Sequence, residues 1–70
     1  MKEIKLNDGK VIKMRKPKVR DMRIVGEIEN EVEKEIKLIS NLTNITTDEL
    51  DDMDLDDYKK LQEVLASFLS

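Results

Sequence analysis

Five aspartates crowd the seven residues from Asp51 to Asp57, the stretch of this chain most suggestive of chemistry. Taking Asp52 as position one places Asp54, Asp56 and Glu63 at positions three, five and twelve of an EF-hand calcium loop. Position six of such a loop is a glycine that makes the sharp turn, and here it is Asp57. The same alignment would strand Leu61 in a loop and cut the chain's best apolar helix in half. Asp54, Asp56 and Asp57 are better read as an N-cap and first-turn acids at the positive end of that helix.

Other constellations fare no better as catalytic machinery. No His or Lys stands beside the carboxylates in a way that would tune one as acid or base. Ser40, Ser67 and Ser70 have no His to activate them, because the chain contains none. It has no Cys either, so thiolate and imidazole metal sites and disulfides are excluded. Gly9 and Gly26 are the only glycines, too few for a phosphate-cradling loop. The reading is of a protein that is not an enzyme, with no catalytic, cofactor-binding or metal-ligating residues.

Basic residues gather at the other end. Lys10, Lys13, Arg15, Lys16, Lys18, Arg20 and Arg23 could meet nucleic acid. The strands there offer no aromatic platform, since Tyr58 and Phe68 are the only aromatics and belong to the last helix. Residues 1–23 hold nine Lys or Arg against three acids, a balance of +6, and residues 24–70 balance at −9. Ends of opposite sign attract within one molecule or stack head to tail between molecules.

These residues must be positioned by a small frame. Seventy residues make one domain, 1–70. A core of this size rarely supplies more than about 3–5 kcal/mol by itself, which points to self-association or a partner. No apolar run approaches the roughly 18 residues of a membrane span. The opening residues lack a signal peptide's apolar core. A soluble intracellular protein is the simplest expectation.

The elements predicted are a β-hairpin over 1–16, a long helix over 18–43, a short helix over 47–52 and a C-terminal helix over 55–69. The fold class is α+β and mainly helical. Lys2-Glu3-Ile4-Lys5-Leu6 alternates as a half-buried strand does, Asn7-Asp8-Gly9 turns, and Lys10 to Arg15 returns. A three-residue loop with left-handed Gly9 pairs Ile4 with Ile12 and Glu3 with Lys13, gathering Ile4, Leu6, Ile12 and Met14 on one face. A slip of one residue would turn that set to water. Pro17 ends the hairpin. Thr46 with Glu49 fits a capping box for the short helix. Leu55, Tyr58, Leu61, Val64, Leu65, Phe68 and Leu69 form the apolar face of the last helix, which should pack on the long one.

In the long segment Val19, Met22, Val25, Ile28, Val32, Ile36, Ile39 and Leu42 recur at steps of three and four, one face of a helix. As one helix it would be about 36 Å long. Gly26 marks a place for a kink. The last helix is too short to cover this stripe, and the hairpin should cover its start near Val19 and Met22. The part left open, and expected to bind a partner, is Ile28, Val32, Ile36 and Ile39.

One resemblance covers nearly the whole chain. The strand, the Asp-Gly turn and Ile12-Lys13-Met14-Arg15-Lys16-Pro17-Lys18-Val19-Arg20-Asp21-Met22 resemble the opening of small tail assembly chaperones of Mu-like and related long-tailed bacteriophages. Leu42-Thr43 and the residues to Leu50 resemble their central link. Met53-Asp54-Leu55-Asp56-Asp57-Tyr58 and Val64-Leu65-Ala66-Ser67-Phe68-Leu69 resemble the start and close of their last helix. Met53 stands where a leucine is common, and the Glu-rich centre has no counterpart. The resemblance implies a phage or prophage protein that binds the tape measure protein during tail morphogenesis and keeps it from aggregating until tube subunits polymerise. It further implies contact with the tail tube protein, a homo-oligomeric state, residence in the host cytoplasm, absence from the mature virion and, in many members, a frameshifted longer form. Neither a membrane nor nucleic acid is an expected partner. Adaptable Met14, Met22 and Met53 suit a holding surface. The alternative is a small acidic adaptor or antitoxin-like regulatory module.

Overall fold

The computed structural model describes residues 1–70. It has the α+β, mainly helical architecture expected: β1 (Lys2–Lys5), β2 (Val11–Met14), α1 (Val19–Val25), α2 (Glu31–Thr43), α3 (Thr47–Asp51) and α4 (Leu55–Leu69).

The strands form an antiparallel pair in the three-residue-loop register, with Ile4 opposite Ile12 and Glu3 opposite Lys13. Leu6 N–H donates to the Lys10 carbonyl at 2.8 Å, and Gly9 has φ +89°. That conformation is open to glycine and strained for a branched side chain. Ile4, Leu6, Ile12 and Met14 are all buried on one face.

This face lies over two helices. The amide of Arg15, just past β2, donates to the Leu42 carbonyl of α2 at 3.1 Å. Lys2 Nζ donates to Ser67 Oγ at 2.9 Å, while Asn7 N–H donates to Asp57 Oδ1 at 3.0 Å. β1 therefore runs antiparallel to α4, from Lys2 beside Ser67 to Asn7 beside Asp57. Met14, Ile39 and Leu61, one from each layer, are fully buried. Burying a side chain of this kind contributes about 1.5–3 kcal/mol. Tyr58 Oη and Gln62 Nε2 both donate to Glu35 Oε1, at 2.7 and 2.8 Å, joining α4 to α2.

The segment expected as one helix over 18–43 is two. Gly26 closes α1 in a right-handed conformation, so no positive φ forces the break. The break is made at Asn30, whose extended backbone and side-chain oxygen cap α2 by accepting from Glu33 N–H at 3.0 Å. Satisfying a free helical amide in this way is what favours Asn at an N-cap. At the far end Asn44 adopts φ +61° and its N–H donates to the Ser40 carbonyl, a left-handed stop.

Turning the chain after Val25 changes which residues of α1 face inward. Asp21 and Val25 are buried, whereas Val19 and Met22 are exposed. The hairpin was expected to cover Val19 and Met22. Its apolar row is instead spent on α2 and α4.

Candidate partner-binding surfaces

The four residues singled out for partner binding separate in the structure. Ile39 is 0% exposed and sits at the centre of the core, closed to any partner by its own chain. Ile36 and Ile28 are half-buried against that core. Val32 is 65% exposed. Val32 and Ile39 lie nearly in line along α2, so the apolar stripe is covered at its C-terminal end and outruns its cover in the first turns. Leu55, 64% exposed, stands one turn before Tyr58, which reaches α2 through Glu35. Of the adaptable methionines, Met14 is core, Met22 is exposed and Met53 is half-buried.

A second surface is the outer side of α1. Around the helix, Met22 and Val19 lie on one flank, Arg23 and Arg20 in the middle, and Ile24 on the other flank. All five are exposed. Val19 at 77% is barely touched by the rest of the chain.

A third lies at the opposite end, between the hairpin turn and α3. Leu6, Ile12, Ile45 and Met53 line an open groove of about 680 Å³. Asp8, Glu49, Asp52 and Asp54 stand around it, with Lys10 the one basic residue.

Two buried carboxylates hold these surfaces apart. Asp21 receives Arg15 Nη1 at 2.8 Å and Nη2 at 2.7 Å, and also the N–H of Lys18 at 2.8 Å. The last bond caps α1 from inside its first turn. The paired guanidinium, helped by the Lys18 amide, holds the Asp21 carboxyl down at about 2. Arg15 Nη2 also reaches the Asn41 carbonyl at 3.4 Å, so one side chain joins the hairpin's end, α1 and α2. Asp57 accepts the Asn7 amide and pairs with Lys60 at 3.5 Å, while Lys60 Nζ donates to Asn7 Oδ1 at 2.9 Å. It is therefore a clamp on the turn as well as the first-turn acid of α4 that was expected. Asp54 occupies the N-cap position of α4 without a side-chain cap bond. Thr46 caps α3 by accepting from Glu49 N–H at 3.2 Å, and its hydroxyl donates to the Glu49 carboxylate.

From the sequence Asp57 was expected only as a first-turn acid of the last helix, and Asp21 was not singled out. The signal available for Asp21 was Arg15 and Asp21 straddling Pro17, opposite charges on either side of a forced turn. For Asp57 no local signal exists, because its partner amide is fifty residues away.

No cluster of three or more Asp, Glu, His or Cys side chains is arranged to hold a metal ion. No helix is long and apolar enough to cross a membrane. The fold presents three open surfaces: an apolar stripe, a basic apolar helix face and an acid-rimmed groove. The family described as "Phage tail assembly chaperone proteins, E, or 41 or 14" matches residues 3–70, and the chain belongs to that family. No curated protein and no solved structure matches it.

Proposed function

We propose that this tail assembly chaperone binds the tape measure protein in the host cytoplasm during tail morphogenesis, through the open first turns of α2. The observation that carries the reading is Val32, 65% exposed at the uncovered end of a stripe whose other end is core. Ile28 and Ile36, half-buried beside it, extend the apolar surface. Apolar side chains left open at helical spacing suit an amphipathic helix laid alongside them. Burial on a partner recovers about 1.5–3 kcal/mol for a Val or Ile fully covered. The protein is then an accessory of assembly, absent from the finished virion.

Co-expression tests this. The tape measure protein stays soluble with the wild-type chaperone and precipitates with Val32→Ser, more completely with Val32→Ser combined with Ile36→Ser. Circular dichroism of Val32→Ser should match the wild type, because the side chain is mostly in water. A folded Val32→Ser/Ile36→Ser variant that still solubilises the partner would place the interface elsewhere.

A further inference from the structure

The hairpin has one covered edge and one open edge. Along an antiparallel pair the backbone groups face the neighbouring strand at one residue and away from it at the next. Leu6 N–H donates to the Lys10 carbonyl and Ile4 stands opposite Ile12, so the even-numbered residues bond across the hairpin. The odd-numbered residues face outward. On β1 these groups are met by α4, where Asn7 N–H donates to Asp57 Oδ1 and the Lys5 carbonyl accepts from Lys60 Nζ. On β2 the Arg15 N–H is taken by the Leu42 carbonyl, and the N–H and C=O groups of Val11 and Lys13 have no partner. Such an edge is a template for a further strand. We propose that the open edge of β2 takes an extended segment of a second protein, one alternating apolar and acidic residues, as a third strand.

The chemistry of the segment follows from what borders the edge. A hollow of about 340 Å³ lies beside β2, with Ile12, Leu42 and Ile45 in its lining. Side chains of an added strand that fall on the Ile12 face drop into this apolar hollow, and the alternate ones stand beside Val11 and Lys13. Both Val11 and Lys13 are exposed. The charged residues lining the hollow are Lys13 and Arg15, both basic. Arg15 is spent on Asp21, whereas Lys13 makes no ion pair. Opposite charges facing one another across strands are favourable and like charges are not, so the segment needs an acid beside Lys13. The same rule opposes a second copy of β2, because Lys10 to Arg15 carries three basic residues and no acid. The bond from Arg15 to Leu42 closes one end of the edge, and the segment therefore lies from Lys13 toward the hairpin turn.

The probe is a capped peptide of about eight residues alternating valine and glutamate, within the usual length of a strand. It is added to the full chain up to about 1 mM, which half fills a site with a Kd of about 1 mM. Chemical shifts and amide hydrogen exchange read the outcome. In the free chain the Val11 and Lys13 amides should exchange fast, unlike those of Ile12 and Met14. With peptide the shifts should saturate, and exchange at Val11 and Lys13 should slow at least about tenfold at saturation. Methylating the peptide's amide nitrogens at one alternate set of residues should abolish binding and at the other set spare it, because one set faces β2. Lys13→Glu combined with Glu3→Lys keeps opposite charges facing across the hairpin. This pair of changes should weaken binding of the glutamate peptide about fivefold and strengthen that of a valine–lysine counterpart.

Unchanged shifts at about 1 mM peptide overturn the proposal. So does binding indifferent to which amides are methylated, since side chains alone then hold the peptide, or equal binding of the two peptides by the wild type. Protection of Val11 and Lys13 that rises with the concentration of the free chain also overturns it, by putting a second copy on the edge. Val32 and Ile36 do not line this hollow. Val32→Ser should therefore bind the peptide as the wild type does, and the result stands or falls apart from co-expression.

Discussion

Asp21 accepts both terminal N–H groups of Arg15, 2.8 and 2.7 Å away, from a position only 1% exposed to solvent. A fork-to-carboxylate pair with a third bond from the Lys18 amide leaves the carboxylate fully engaged, which is what makes its burial tolerable. Because Arg15 also reaches the Asn41 carbonyl, this pair sets where α1 lies against α2.

Asp21 titrates at about 2 in the folded chain and at about 3.9 when unfolded. The folded value is depressed, so the stability it contributes is present above about pH 4 and is lost as pH falls toward 2. Asp21→Asn should lower stability at neutral pH by about 2 kcal/mol, the scale of hydrogen bonds to a charged group. It should also flatten the acid limb between pH 4 and 2. Urea unfolding across that range measures both effects.

Gly9→Val should destabilise the hairpin by about 1–2 kcal/mol, because φ +89° is strained for a β-branched residue. A side chain at Gly9 meets nothing within 4 Å, so the effect is one of backbone alone. Gly9→Asn should therefore be milder, since Asn visits left-handed conformations. Equal melting temperatures for Val and wild type would contradict the register.

Asn30→Ala removes the cap that separates α2 from α1 and should cost about 1 kcal/mol. The Glu33 amide should then exchange hydrogen faster, while Asn30→Asp, which keeps the acceptor, should not change it.

Burial, and then the bond to Glu35, raise the Tyr58 phenol well above its ordinary value. The folded state therefore favours the neutral phenol. Stability linked to Tyr58 is whole below about pH 10, where a free tyrosine begins to ionise, and declines as pH rises further. Ultraviolet titration should show no phenolate in the folded protein near pH 10. Tyr58→Phe should remove the alkaline decline at a loss of about 1 kcal/mol at neutral pH.

How far the sequence carries one depends on how local the cause is. The hairpin register was legible because turn, glycine and alternation lie within about a dozen residues and agree. α4 was legible because its period is unbroken from Leu55 to Phe68. The break between α1 and α2 was misread because Val25, Ile28 and Val32 keep helical spacing across it. Asn30 with Glu33 three residues on was the cap signature that spacing obscured. Among the residues expected at the interface, the stripe was visible but its cover was not. Ile39 and Val32 share one helix face, and only the tertiary placement of α4 and the hairpin makes one core and the other surface. Asp57 holding Asn7 lay beyond any local reading.

The contact between β1 and α4 bears on the order of events during synthesis. Lys2 and Ser67 meet across sixty-five residues, and Asn7 and Asp57 across fifty. On a ribosome, Ile4 and Leu6 emerge some fifty residues ahead of the helix that shelters them, and wait for it. Distant contacts of this sort bring no stabilisation until the intervening loop has been closed. The emerging chain therefore has no half that can settle by itself, and the domain should form in one late step after most of α4 has cleared the exit tunnel.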